Sequence, residues 1–119
     1  MRIVLGLPPR ELSPNARVHW AKKARAAKAY RMVAFIAARN VPGWMRPRWE
    51  LAEAQATFYL PDARRRDGDN LSASLKAAWD GIVDAEILAD DCGLKIHSPL
   101  LCIDRARPRV EIEIIEGAA

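Results

Sequence analysis

The chain has 119 residues, half of them hydrophobic and 29% charged, with a formal net charge of +4. That length makes one domain able to bury roughly two-thirds of its unfolded surface, and the composition excludes a disordered chain. No apolar run approaches the roughly 20 residues of a membrane-spanning helix, and Arg2 and Pro8-Pro9 break up any secretory leader, so the sequence reads as cytoplasmic with no membrane partner.

Met1 to Leu7 is apolar apart from Arg2 and reads as a strand, stopped by Pro8-Pro9 because proline cannot donate to a ladder. Arg10 to Asn15 is a loop of turn formers. From about Ala16 to Arg39 the chain is alanine-rich without proline or glycine, which predicts a long helix with Trp20, Ala24, Ala27, Ala34 and Ala38 as its packing stripe. No acidic residue occurs between Leu12 and Trp49, whereas Arg17, Lys22, Lys23, Arg25, Lys28, Arg31, Arg39, Arg46 and Arg48 all fall there. A merely solvated helix face intersperses both signs, and one-sign segregation is the footprint of a polyanion binder. Lys22, Lys23, Arg25 and Lys28 are the candidates for contacts to a nucleic-acid backbone, their stems lying on apolar surface while their heads reach phosphate.

Val41-Pro42-Gly43 should stop the helix, with Trp44 in the following loop as a gap-filling aromatic or a base-stacking one. Glu50 to Leu60 reads as a strand, because Ala52, Ala54, Ala56, Phe58 and Leu60 alternate with a more polar set. Pro61-Asp62 turns the chain into Arg64-Arg65-Arg66-Asp67-Gly68-Asp69-Asn70-Leu71. Asp69 then reads as the cap of a helix ending near Asp84, with Leu71, Leu75, Ala78, Trp79 and Ile82 within roughly a quarter-turn of one another. On the same wheel Asp69, Lys76 and Asp80 fall within about 40° on the opposite side.

Asp90-Asp91 follow as a turn, then Leu94 to Asp104 and Arg109 to Glu116 as two strands joined by a hairpin-like turn at Arg105-Ala106-Arg107-Pro108. The order β-α-β-α-β-β predicts an α/β (α+β) domain, a small mixed sheet of about four strands covered by two helices. Cys92 and Cys102 read as reduced thiols. With His97 they lack the fourth ligand and the tight pairing of a zinc site.

Asp67 and Asp69 straddle a glycine at the mouth of a helix and could share one hard cation, which takes one or two carboxylates plus water and phosphate oxygens. Gathered carboxylates repel unless a cation neutralises them, although a helix cap and a solvated turn account for the same acids without a metal. An EF-hand is excluded: counting from Asp67, its sixth position is Ser72 rather than glycine and its twelfth is Ala78 rather than an acid.

The run Arg65-Arg66-Asp67-x-Asp69-Asn70-Leu71, then Lys76-x-x-x-Asp80-Gly81, then Asp90-Asp91, resembles the RusA family of Holliday-junction resolvases, and the opening Leu7-Pro8-Pro9 and Ser13-Pro14-Asn15 extend the similarity over most of the chain. The resemblance implies a phage or bacterial endodeoxyribonuclease of DNA recombination and repair. Asp67, Asp69 and Asp91, with Asp90 as a fourth candidate, would bind Mg²⁺ (or Mn²⁺), and Lys76 would be needed for cleavage. In the family's best-known member the lysine follows the second aspartate by four residues. Here the spacing is seven, about 5 Å further along a helix but on nearly the same face. Arg65 and Arg66 join the DNA-binding candidates, and Asn15, Asn70 and Asp80 are peripheral ones.

On this reading the metal would activate water and polarise the scissile phosphate, and Lys76 would neutralise developing charge. A four-way junction is two-fold symmetric and needs two opposed cuts, so a homodimer is expected. No small-molecule cofactor is expected. Neither His19, in the basic helix, nor His97, in a strand, is placed as a general base. A non-catalytic DNA-binding module and a nuclease for other branched DNA or RNA remain the alternatives.

Overall fold

The computed structural model describes residues 1–41, 47–89 and 91–117. It is a small α+β domain: β1 (Arg2–Leu5), α1 (Trp20–Arg39), β2 (Ala52–Leu60), α2 (Gly68–Ser74), α3 (Lys76–Asp84), β3 (Leu94–Ile96), β4 (Leu100–Ile103) and β5 (Arg109–Glu116). Single 3-10 turns lie at Arg10–Leu12 and Asp91–Gly93. Among the described residues no helix is long and apolar enough to cross a membrane.

The five strands form one mixed sheet in the order β1-β5-β2-β3, with β4 continuing along the β2 edge that β3 begins. β5 runs antiparallel to both β1 and β2, while β3 and β4 run parallel to β2. Strict alternation in β2 and β5 makes one face of this sheet apolar. Ala52, Ala54, Ala56 and Phe58 from β2 lie beside Val110, Ile112 and Ile114 from β5, and all are buried. The other face carries Glu53, Gln55, Thr57, Tyr59, Glu111 and Glu113 and lines an open polar depression.

The helices close the apolar face. Tyr30, Ala34 and Ala38 of α1 and Leu75, Ala78, Trp79 and Ile82 around α3 join the same core as Ile3, Phe58 and Ile112. Each large aliphatic or aromatic side chain so buried contributes about 1.5–3 kcal/mol. Small residues set the spacing of the two long helices: a Cβ at Gly81 would collide with the backbone carbonyl of Arg31. Arg31 also clamps the pair from outside, its Nε and Nη2 donating to Asp84 at 2.6 and 2.9 Å.

Several expectations need correction. α1 starts at Trp20 rather than Ala16, because Ser13 to Ala16 is consumed by a turn and the His19 ring accepts from the Ala21 N–H as the cap. Trp20 and Ala24 do not belong to the packing stripe. Both are exposed, and Tyr30 takes the anchoring place, its hydroxyl donating to the Gly6 carbonyl at 2.8 Å. The stretch Leu94 to Asp104 splits into β3 and β4 around Ser98-Pro99. No hairpin joins β4 to β5, for the two lie on opposite sides of β2. The connection instead crosses the end of β2, where Asp104 N–H donates to Leu60 O and the Arg109 guanidinium stacks 3.9 Å from the Tyr59 ring. The stop expected at Val41-Pro42-Gly43 and the placement of Trp44 fall largely outside the described residues.

A candidate nucleic-acid site at the opening of α2

The helix expected from Asp69 to Asp84 is two helices, broken at Leu75, and its cap is Asp67. The Asp67 Oδ1 accepts from the backbone N–H groups of Asp69 at 2.8 Å and Asn70 at 3.3 Å, which satisfies donors that the first turn leaves without partners. Asp69 lies in that first turn, exposed, and its carboxylate makes no hydrogen bond or ion pair among the described residues. Asp67 Oδ2 is likewise unengaged among them. Two hard oxygen donors therefore face outward from neighbouring positions. Asp90 and the side chain of Asp91 lie outside the described residues, and among those described no three acidic, histidine or cysteine side chains converge as a metal-binding group.

The segment before α2 is held from within. Arg66 is mostly covered, and its Nη1 donates to the Asp62 and Arg64 carbonyls at 3.1 and 3.0 Å and pairs with the Asp62 carboxylate at 3.0 Å. The Arg64 N–H and the Arg66 guanidinium hold the Asp62 carboxyl below the usual carboxylate range. Arg66 thus shapes the loop that delivers Asp67, while Arg65 stands exposed with no partner among the described residues.

A cleft of about 510 Å³ opens beside this loop. Leu7, Pro8, Pro9, Phe58, Leu60, Pro61 and Leu71 give it apolar lining, and Arg10, Arg64, Arg66, Asp67 and Asn70 are among its polar groups. Asn15 lies in the adjoining turn beside Arg10 and Ser13. Ser74 lines both this cleft and a neighbouring groove in which Lys23 of α1 meets Lys76 and Asp80 of α3. Arg10 and Arg64 were absent from the residues expected at the site. The Pro8-Pro9 corner, which turns the chain after β1 into the cleft wall, was the available signal for Arg10.

The acid–base–acid row read from a continuous helix is interrupted at Leu75, which places Asp69 on α2 and Lys76 with Asp80 on α3. Lys76 opens α3 and reaches Asp80 at 3.3 Å with its side chain largely in solvent. Asp80 also lies 4.0 Å from Arg31, so it belongs to the charge network joining α1 and α3. Asp84 is held below the usual carboxylate range chiefly by its hydrogen bond from Arg31. Lys22, Arg25 and Lys28 are exposed on α1 without an acidic partner among the described residues, and they line neither the cleft nor the groove. At the start of α1, Trp20 is 77% exposed, with the His19 ring tilted against it at 5.4 Å. His97 sits on the open face of the sheet, 2.9 Å from Glu53 and across the sheet from α2.

No family model matches the chain. An uncharacterized protein of Xylella fastidiosa is 38% identical over 86 residues, which is 70% of this chain and 56% of the relative, so the chain spans little more than half the length of the relative it matches.

Proposed function

We propose that this protein is a Mg²⁺-dependent, structure-selective endodeoxyribonuclease that resolves four-way DNA junctions in recombination and repair, as its resemblance to the RusA resolvases implies. The observation that supports this most directly is the opening of α2, where two carboxylates with unengaged oxygens sit next to an arginine-bearing cleft and close to an acid-free basic helix. The donor set fits the ion: Mg²⁺ takes oxygen ligands and usually one or two carboxylates, and Asp67 Oδ2 and the Asp69 carboxylate would hold it, with Asp91 and Asp90 completing the set by resemblance. Mn²⁺ accepts the same ligands. Such a bound ion supplies Lewis-acid polarisation of phosphate and a more acidic bound water.

The chain's own groups do the rest. Arg10, Arg64 and Arg65 would hold the backbone phosphates, with Lys23 beside Lys76 in the adjoining groove. The Lys76–Asp80 pair is long and exposed, so exchanging Asp80 for a phosphate oxygen costs little, and Lys76 would then neutralise charge developing at the scissile group. Trp20 offers an exposed ring on which an unpaired base could stack. Neither His19, which caps α1, nor His97, across the sheet, stands beside the acids as a base.

One observation favours a second reading, a DNA-binding module without catalysis: Asp67 has a structural task as the cap of α2. The deciding experiment compares a synthetic four-way junction with a linear duplex of the same sequence, in Mg²⁺ and in EDTA. Paired symmetric nicks in the junction alone, abolished by EDTA and by Asp69→Asn while that variant still binds the junction, are expected. Binding without cleavage in either Mg²⁺ or Mn²⁺ would favour the module. Cleavage of branched RNA or of other branched DNA in preference to the junction would redirect the substrate assignment.

A further inference from the structure

Strand pairing gathers three loops at one end of the sheet. The register sets Leu5 of β1 beside Val110, Tyr59 of β2 beside Arg109, and Leu60 beside Ile103 of β4. Residues 6–10, 61–67 and 104–108 therefore leave the sheet at the same end, and the first two loops help line the cleft beside Asp67. The third, the connection from β4 to β5, is not part of that cleft. It carries Arg105 and Arg107, both exposed, and neither side chain has a hydrogen-bond or ion-pair partner among the described residues.

The backbone of this connection is held from within. Asp104 Oδ1 accepts from the Ala106 and Arg107 N–H groups, each at 3.1 Å, and Oδ2 accepts from Arg109 Nη1 at 2.7 Å. Arg109 Nη1 also donates to the Arg107 carbonyl at 2.8 Å, and its Nε donates to Glu111 at 2.6 Å. The bond from Arg109, and after it the Arg107 N–H, hold the Asp104 carboxyl below the usual carboxylate range. The acid of this connection is thus engaged internally, as Asp62 is in the loop after β2. Arg105 and Arg107 are left as like charges on a stiff turn, with no acid of that turn free to relieve them.

We propose that Arg105 and Arg107 form a second nucleic-acid contact, which takes the phosphates of one duplex arm of a branched DNA while the α1 side of the site takes another. Arginine suits this task, since its planar fork can donate two parallel bonds to one phosphate. A turn already stiff before binding also loses little freedom on binding. The placement favours two arms over one. The Arg109 guanidinium lies 3.9 Å from the Tyr59 ring on the open face of the sheet, so it ties the connection to the side away from the helices. Lys23 belongs to the helical layer that covers the other face. A substrate that touches both must pass around the end of the sheet, which a branched DNA does more readily than a straight duplex.

This inference rests on the DNA-binding part of the proposed function and not on cleavage. The test is fluorescence anisotropy of the full chain in EDTA, with a synthetic four-way junction and with a linear duplex of the same sequence. The proteins compared are wild type, Arg105→Ala with Arg107→Ala, and Arg105→Lys with Arg107→Lys. Each phosphate contact contributes about 0.9 to the slope of log K against log salt, so losing two lowers the junction slope by about 1.8. Over a roughly fourfold rise in salt, wild-type affinity for the junction should then fall about twelvefold more than that of the alanine variant. The duplex slope should not change, and the lysine variant, which keeps both charges, should retain the wild-type junction slope. Equal losses of slope on junction and duplex, an unchanged junction slope, or a wild type that binds no DNA would each overturn the proposal. So would binding of polyglutamate, sensitive to the alanine changes, by a protein that ignores the junction, which would assign the turn to an acidic protein. Junction nicking in Mg²⁺ with an unchanged slope would refute the second contact and spare the nuclease reading, and a slope loss in a protein that never cuts would do the reverse.

Discussion

Asp67 caps α2 and is the proposed cation ligand, and a pair of substitutions separates the two roles. Its Oδ1 accepts one short bond from the Asp69 N–H at 2.8 Å and one longer bond from the Asn70 N–H at 3.3 Å, while Oδ2 is the oxygen available to a cation. Asparagine caps a helix about as well as aspartate, because its amide oxygen accepts the same bonds, whereas alanine accepts none. Asp67→Ala should therefore cost about 1 kcal/mol, one full capping bond and part of a second, and lower the melting temperature by a few degrees in a domain of this size. Asp67→Asn should stay within about 0.5 kcal/mol of wild type. Both should abolish Mg²⁺-dependent junction cleavage, since neither supplies an anionic ligand. Urea denaturation gives the stabilities and a nicking assay on a labelled junction gives the activities. Nicking by Asp67→Asn at a rate near wild type would sink the metal-ligand role, and equal stability of the Ala and Asn variants would sink the capping account.

Other expectations follow from the packing and the charges. Gly81→Ala should destabilise by about 1–3 kcal/mol, because the added Cβ meets the Arg31 carbonyl and pushes α1 from α3, and a urea midpoint within error of wild type would contradict that close approach. The Asp84 carboxyl is held below its usual value by Arg31, so the stability it lends is complete above about pH 3.8 and is lost as pH falls through the lowered folded value. Asp84→Asn should accordingly flatten the acid limb of a stability-against-pH curve, and an unchanged limb would remove Asp84 from the linkage. Lys23→Ala should weaken junction binding across sequences and lower the slope of log K against log salt by about one, measured by fluorescence anisotropy between two salt concentrations, with an unchanged slope placing Lys23 away from phosphate.

The strands with one wet face were legible because alternation is a local signal: Ala52 to Leu60 and Val110 to Ile114 bury the residues that their period-two pattern marks. The pairing of those strands was not. Arg105 to Pro108 has the composition of a hairpin turn, yet β5 pairs with β2 because its Val110, Ile112 and Ile114 face must continue the apolar surface under the helices. Nothing local to that turn records the choice. At the site, the sequence marked Asp67 and Asp69 but exchanged their roles. Both are good capping residues two positions apart, and the actual cap is the one whose extended backbone lets its side chain turn onto the two N–H groups that follow. Arg66 reads in the sequence as one of three equivalent arginines, and only the folded loop sets it apart by closing Asp62 and two carbonyls around it.

The break at Leu75 divides the residues of the proposed site between two helices. Leu75 is almost wholly buried, and its N–H bonds back to Ser72 and Ala73 rather than to Leu71, so α2 ends in a tightened turn before α3 begins. Asp67 and Asp69 accordingly ride on a seven-residue helix fixed by its cap and by the Arg66 clamp, whereas Lys76 rides on a helix wedged against α1 by Gly81 and the Arg31–Asp84 bonds. Acid and base are thus carried by two elements anchored independently, one by the loop leaving β2 and the other by the basic helix. Ser74 is the side chain that lines both clefts. Its hydroxyl donates to the Leu71 carbonyl at 2.6 Å and is mostly buried, so it fills the corner between the two elements rather than offering itself to solvent. A substrate phosphate that engages Asp67 through a cation and Lys76 directly would lie across this corner. Its register along α1 would then follow from Lys23, a basic α1 side chain that reaches the same groove. On the proposed reading, the seven residues from Asp69 to Lys76 would span a change of helix rather than one added turn.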